Sequence, residues 1–126
     1  NLRFLVIRPE GDASELARMI EDRGGIVDEV ASYRTLAETA DLNGSAARFL
    51  EEGADWITFA SGSAVQYFHE RFDLPALLRK AGASRTLSIG PETSKALEAL
   101  GLKATAEARV HTIDGLVETL VRQAAR

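Results

Sequence analysis

The stretch "LSIGPETSKALEALGLKATA", residues 87–106, decides how this chain is read. An apolar, β-type run stops at Gly90-Pro91, and a helical pattern begins at once. Pro91 suits the first turn of a helix, where a backbone N–H has no intrahelical acceptor to lose. Glu92 places negative charge at the positive end of the helix dipole. Gly101 ends the helix, and a second short β-type run follows. Strand, tight turn, helix, glycine stop and strand form one βαβ unit. The N–H groups around Glu92, Thr93 and Ser94 are left in need of an acceptor.

The same alternation extends in both directions. Residues 3–7 ("RFLVI") read as a buried strand. Residues 12–24 read as a helix with Leu16, Met19, Ile20 and Arg23 at helical spacing, ended by Gly24-Gly25. Residues 26–33 ("IVDEVASY") form a half-buried strand, residues 34–44 a polar connector, and residues 45–53 a short helix with Ser45 as its N-cap. Residues 55–60 ("DWITFA") are a third strand, followed by Ser61-Gly62-Ser63 and a helix over 63–72. "LPALLRKAG" adds a helical turn or two. "TLSI" (86–89) and "LKATA" (102–106) are the fourth and fifth strands. The closing helix, 112–126, has Leu116, Val117, Leu120 and Val121 as its apolar stripe. Strands separated by helices imply a parallel sheet with helices on both faces.

Composition narrows the function. The chain has 126 residues, 45% hydrophobic and 27% charged, as expected of one globular domain. A net charge of −4 opposes nucleic-acid binding by counterion release. The absence of cysteine excludes disulfides, thiol catalysis and Cys-zinc sites. No apolar run reaches membrane-spanning length, and no signal peptide precedes the first strand, so the expected location is cytoplasmic. The abrupt start at Asn1 is expected of a fragment cut from a longer chain.

In open parallel sheets, ligands bind beyond the carboxyl ends of the strands. Those positions hold Arg8-Pro9-Glu10-Gly11, Tyr33-Arg34-Thr35, Ser61-Gly62-Ser63, Gly90 to Thr93, and Glu107 to Thr112. Hydroxyl-bearing helix starts attract carboxylates or phosphates, although the same residues serve as plain caps. Nothing matches GxxxxGK[ST], or GxGxxG after a strand. His69 and His111 have no ligand spacing. His69 reads as a half-exposed helix residue and His111 as the one nearer a cleft. Trp56 reads as core. Arg8-Pro9-Glu10-Gly11 suits neither the acidic cluster of a phosphoacceptor nor the hydroxyl-rich phosphate loop of a redox flavodoxin.

The order of "LVIRPEG", "EV.SYRT", "ADWITFASGSAV", "IGPETSKALEALGL" and "HTIDGLV" resembles the uroporphyrinogen-III synthase family, over essentially the whole chain and matching that family's C-terminal half. The resemblance implies closure of the linear tetrapyrrole hydroxymethylbilane to uroporphyrinogen III, with D-ring inversion and loss of water. It implies no cofactor, no metal, and no nucleic-acid or membrane partner. It also implies two flavodoxin-like domains facing each other across a cleft. Tyr33 matches the cleft tyrosine that helps the hydroxyl leave. Ser61, Gly62, Ser63, Gly90, Thr93 and Thr112 match substrate-binding turns, and Arg8, at the end of the first strand, is a further expected substrate-binding residue.

"FLVIRPEG" is also similar to the family's opening βαβ, so residues 1–33 can stand in for it. The expected fold is then one flavodoxin-like α/β domain over 1–126, with residues 1–33 as βαβ segment, 34–44 as connector and 45–126 as the remaining units. Its expected core is a parallel five-stranded sheet of order 2-1-3-4-5. The N-terminal half of the same protein is the expected partner. A non-catalytic module binding an anion or a tetrapyrrole is the alternative.

Overall fold

The computed structural model describes residues 2–11, 14–80 and 84–125. The elements are β1 (Arg3–Pro9), α1 (Glu15–Asp22), β2 (Ile26–Tyr33), α2 (Ser45–Glu52), β3 (Trp56–Phe59), α3 (Gly62–Phe72), α4 (Leu74–Leu78), β4 (Arg85–Ser88), α5 (Pro91–Ala99), β5 (Ala106–Glu107) and α6 (Ile113–Ala124). The chain divides into two compact units, Asn1–Glu38 and Thr39–Arg126. Every strand pair is parallel, but the strands form two sheets, β1-β2 and β3-β4-β5, in place of the expected five-stranded one. The reason lies in the connections. The parallel pairs are joined by helical crossovers, α1 between β1 and β2, α3 with α4 between β3 and β4, and α5 between β4 and β5, whereas β2 and β3 are separated by the polar stretch 34–44 and α2, and there the sheet breaks.

In the first unit β1 and β2 pair from Arg3↔Ile26 to Arg8↔Ala31, and a bulge then sets Pro9 against Tyr33. Ser14 caps α1 by accepting the Ala17 N–H at 3.2 Å, so the helix starts at Glu15 and not at residue 12; residues 12 and 13 lie outside the described residues. Ala17 is the buried residue of α1, and Leu16 and Met19 of the expected stripe are 57% and 45% exposed. Side chains alternate along a strand. Val6 and Val27 are half-buried, while Leu5 and Ile7 are each 63% exposed.

The second unit has a core of its own. Phe59, Val65, Leu74 and Leu97 are buried together, flanked by Ile57, Phe68, Leu78, Ala96, Leu100, Leu102 and Ala104. Phe68 lies edge-on to Phe49 and Phe59 at centroid separations of 5.8 and 5.6 Å, so α2, α3 and β3 share aromatic packing. Ser45 does not cap α2. Gly44 occupies the cap position at φ 75°, and the Asp41 carboxylate takes the Ala46 and Ala47 N–H groups at 2.9 and 3.0 Å. Those two bonds, ahead of the Arg71 charge, hold the Asp41 carboxyl below its ordinary value. This cap therefore contributes at neutral pH and is lost as the pH falls through the lowered value.

The ladder of β5 is shorter than "LKATA" predicts. Thr86 and Thr105 bond each other's backbone N–H through their hydroxyls, at 3.0 and 3.2 Å, and strand pairing starts only at Ala106. On α6 the buried residues are Gly115, Leu116 and Thr119; Val117 and Val121, expected in the stripe, are 52% and 63% exposed. A Cβ at Gly115 would overlap the Val110 carbonyl oxygen, which lets α6 start directly under the preceding loop. Forcing atoms into such a contact costs about 1–3 kcal/mol. We expect Gly115→Ala to lower the melting temperature by about 4 °C or more, and calorimetry checks this against Gly101→Ala, whose added Cβ meets nothing within 4 Å and which carries only the penalty of its own backbone angle.

Candidate functional site

Parallel pairing brings the carboxyl ends of β3, β4 and β5 to one edge of their sheet, and α3, α5 and α6 begin there. The order β3-β4-β5 puts the Gly90 turn in the middle. At the first turn the Ser61 hydroxyl accepts the Ala64 N–H at 3.0 Å and lies 3.2 Å from Ser63 Oγ. Gly62 lies where α3 meets α5: a Cβ there would make an ordinary contact, 3.5 Å from Ala96 Cβ. Ser63 is exposed.

At the middle turn Gly90 is fully extended, α5 has no side-chain cap, and Pro91 occupies its first turn. Ser94 is the first residue to bond back, its N–H reaching the Gly90 carbonyl at 3.0 Å. The N–H groups of Glu92 and Thr93 precede that bond, at the positive end of the helix. Thr93 itself is 3% exposed, so its side chain belongs to the packing of α5. Glu92 is drawn to Lys95 at 3.2 Å. At the third turn Thr112 accepts the Gly115 N–H at 3.0 Å as the cap of α6. The sequence reading of hydroxyl caps at helix starts holds for Ser61 and Thr112, and the structure brings Ser61, Gly62, Ser63, Gly90, Thr93 and Thr112 to this one edge.

Tyr33 and Arg8 belong to the first unit. Tyr33 ends β2 and is 56% exposed, its carbonyl accepting the Glu10 N–H at 2.8 Å. The donors of Arg8 are engaged locally: Nε meets Glu29 at 3.0 Å, and Nη1 reaches the Pro9 and Gly11 carbonyls at 3.0 and 3.1 Å. The same Glu29 oxygen takes the Ser14 N–H at 2.9 Å. Arg8 thus fastens the turn between β1 and α1.

Ser88 and the Ser94 side chain were not among the expected site residues, while Glu107 and His111 were expected only as part of the stretch after the fifth strand, His111 as the histidine nearer a cleft. Ser88, fully buried in β4, is close to Gly90 and to Ser94, and Ser94 reaches Glu107. The His111 ring lies against Gly90: its Cγ would be 3.0 Å from a Cβ placed there. A serine inside an apolar strand run, two residues before Gly90-Pro91, was the available signal for the first of these. His69 and Trp56 are elsewhere. His69 Nδ1 is buried on α3 without a partner among the described residues. Trp56 starts β3 at the opposite end of the sheet, with the Arg85 guanidinium 4.5 Å from its ring centroid. Among the described residues no group of three or more His, Cys, Asp or Glu is placed to hold a metal ion, and no helix is long and apolar enough to cross a membrane.

A family model described as uroporphyrinogen-III synthase HemD matches residues 1–118. The chain belongs to the uroporphyrinogen-III synthase family. Its fold is similar to that of the crystal structure of uroporphyrinogen III synthase from the extremely thermophilic bacterium Thermus thermophilus, with a TM-score of 0.62 at 20% identity. The match covers 99% of this chain and 50% of the Thermus chain, so this chain spans about half the length of that relative. No curated protein matches it.

The capping geometry has measurable consequences. Removing a hydroxyl N-cap costs about 0.5–2 kcal/mol. We expect Ser61→Ala and Thr112→Ala each to lower the melting temperature by several degrees. Ser63→Ala, which caps nothing, should leave it within about 2 °C. Thermal denaturation of the three variants checks the separation.

Proposed function

We propose that this chain forms the C-terminal half of a two-domain uroporphyrinogen-III synthase, which closes hydroxymethylbilane to uroporphyrinogen III with D-ring inversion and loss of water. The observation that carries the reading is the family match over residues 1–118. The substrate would be a linear tetrapyrrole bearing acetate and propionate groups. The chain has a net charge of −4, so general electrostatic attraction would not hold such a polyanion. Local donors would: the N–H groups of Glu92 and Thr93, the Ser61 and Ser63 hydroxyls and the Thr112 turn, all at helix starts. Tyr33 would stand by the departing hydroxyl, a phenol being a neutral proton donor at pH 7. No cofactor or metal enters this scheme, and a cytoplasmic location goes with the biosynthetic role.

The partner in this reading is the other half of the same protein. Strands of a parallel sheet are ordinarily covered on both faces. In the first unit Leu5, Ile7 and Val30 remain 63%, 63% and 44% exposed. Helices of the missing half would cover them, and the isolated chain would lack half of its cleft.

The test is a hydroxymethylbilane assay on the full-length protein containing this chain. Tyr33→Phe should slow ring closure by about 10²–10⁴-fold, with the melting temperature unchanged, and this chain alone should show no turnover. Unchanged turnover in Tyr33→Phe removes that residue from the mechanism. A full-length protein that binds the tetrapyrrole and does not close it would instead be a binding module.

A further inference from the structure

We infer that Ser94, held by Ser88 and Glu107, is a positioning residue for the α5 N-terminus and sets the direction of the Glu92 and Thr93 amides. This rests on the proposed role of those amides in carboxylate binding. The Ser94 side chain reaches both neighbouring strands. Its Oγ lies 2.9 Å from Ser88 Oγ on β4 and 2.6 Å from Glu107 Oε1 on β5. Ser88 is fully buried and tied to the turn itself: its hydroxyl donates to the Gly90 carbonyl at 2.8 Å, and its oxygen accepts the Gly90 N–H at 3.2 Å. The Gly90 carbonyl also accepts the Ser94 N–H at 3.0 Å. Both backbone groups of Gly90 are therefore bonded to residues of this chain of contacts.

The His111 ring closes the side of Gly90 where a Cβ would stand. With Gly90 held on two sides and Pro91 fixing the next φ, the peptides that follow have one direction. The Ser94 hydroxyl has a single proton, and an ionised carboxylate is a better acceptor than a hydroxyl. Glu107 is therefore the stronger acceptor of that proton, which Ser88 Oγ shares as the second acceptor of a three-centre bond, while the Ser88 proton stays on Gly90. The Ala108 N–H, bonded to the Ser88 carbonyl at 2.8 Å, joins the same two strands one residue further on. Glu107 and Ser88 are supports of the turn and need not touch substrate.

The experiment uses the full-length protein and two readouts. The first is the ¹H–¹⁵N resonances of Glu92 and Thr93 without ligand. The second is steady-state kinetics with hydroxymethylbilane. Ser94→Ala and Glu107→Leu should shift both amide resonances. They should raise KM about tenfold with kcat within about twofold, the pattern of lost ground-state binding. Ser94→Thr keeps the hydroxyl and Glu107→Gln keeps an acceptor, so both should stay within about threefold of the parent, with amides near their original positions. A Ser94→Ala protein that melts earlier with both amides unmoved overturns the inference and leaves Ser94 a packing residue, as do amides that move with KM unchanged in an active enzyme. If the parent neither turns over nor binds hydroxymethylbilane, the functional reading fails. The amide shifts, and their return in Ser94→Thr, then decide the positioning role alone.

Discussion

A strand with neighbours on both sides and helices on both faces has nowhere to put a polar group except against another polar group of the chain. β4 is that strand. Thr86, Leu87 and Ser88 are 2%, 0% and 0% exposed, between β3 on one side and β5 on the other. Leu87 loses nothing by this. Thr86 and Ser88 must be satisfied internally, since an unpaired buried hydroxyl costs about 1–3 kcal/mol. Thr86 finds Thr105, and Ser88 finds Gly90 and Ser94. Those two solutions shape what surrounds them: the first delays the β5 ladder to Ala106, and the second fixes the turn that opens α5.

The first unit shows the same constraint unmet. β1 and β2 have one crossover helix between them and therefore one covered face. Val6, Val27 and the Arg8–Glu29 pair are half-buried there, while Leu5, Ile7, Ile26 and Val30 stay largely exposed. Their apolar character is that of a parallel strand suited to burial on two sides. The second unit needs no such completion for its core, because Phe59, Val65, Leu74 and Leu97 already lie within it.

Much of this could be read from residue order. Pro91 and Gly101 bracketed α5 because one lacks an N–H and the other adopts the left-handed region, at φ 76°. Ser61 and Thr112 marked helix starts because their hydroxyls complete the first turn. Other features depended on distance in space. Ser45 resembled a cap, but Asp41, four residues earlier, bonds the α2 amides from further off. The α6 stripe pointed to Val117 and Val121, yet the contact between Gly115 and the Val110 carbonyl turns the helix so that Gly115, Leu116 and Thr119 face inward. The break between β2 and β3 was visible as a polar stretch, but sequence order alone does not say which strand edges meet. At the site, isolated serines and a glutamate carry no pattern: Ser88, Ser94 and Glu107 become a unit only because β4, α5 and β5 bring them together.

Capping and ligand binding are often set against each other as readings of a hydroxyl at a helix start. The chemistry of the group does not require the choice. A serine or threonine hydroxyl has one proton and two lone pairs. As a cap it uses a lone pair: Thr112 Oγ1 accepts from Gly115 and Ser61 Oγ accepts from Ala64. Its proton remains available, and for Thr112 none of the described bonds uses it. In Ser61 the same proton competes with Ser63 Oγ at 3.2 Å, a longer contact than a carboxylate would make. Thr93 differs, being 3% exposed, so its side chain is committed to the packing of α5. The residues that stabilise these helix starts thus keep a hydroxyl proton beyond the cap, and the buried threonine between them packs its side chain inward. That division of labour follows from where each side chain stands: Thr93 is buried within α5, while Ser61 and Thr112 sit at exposed helix starts.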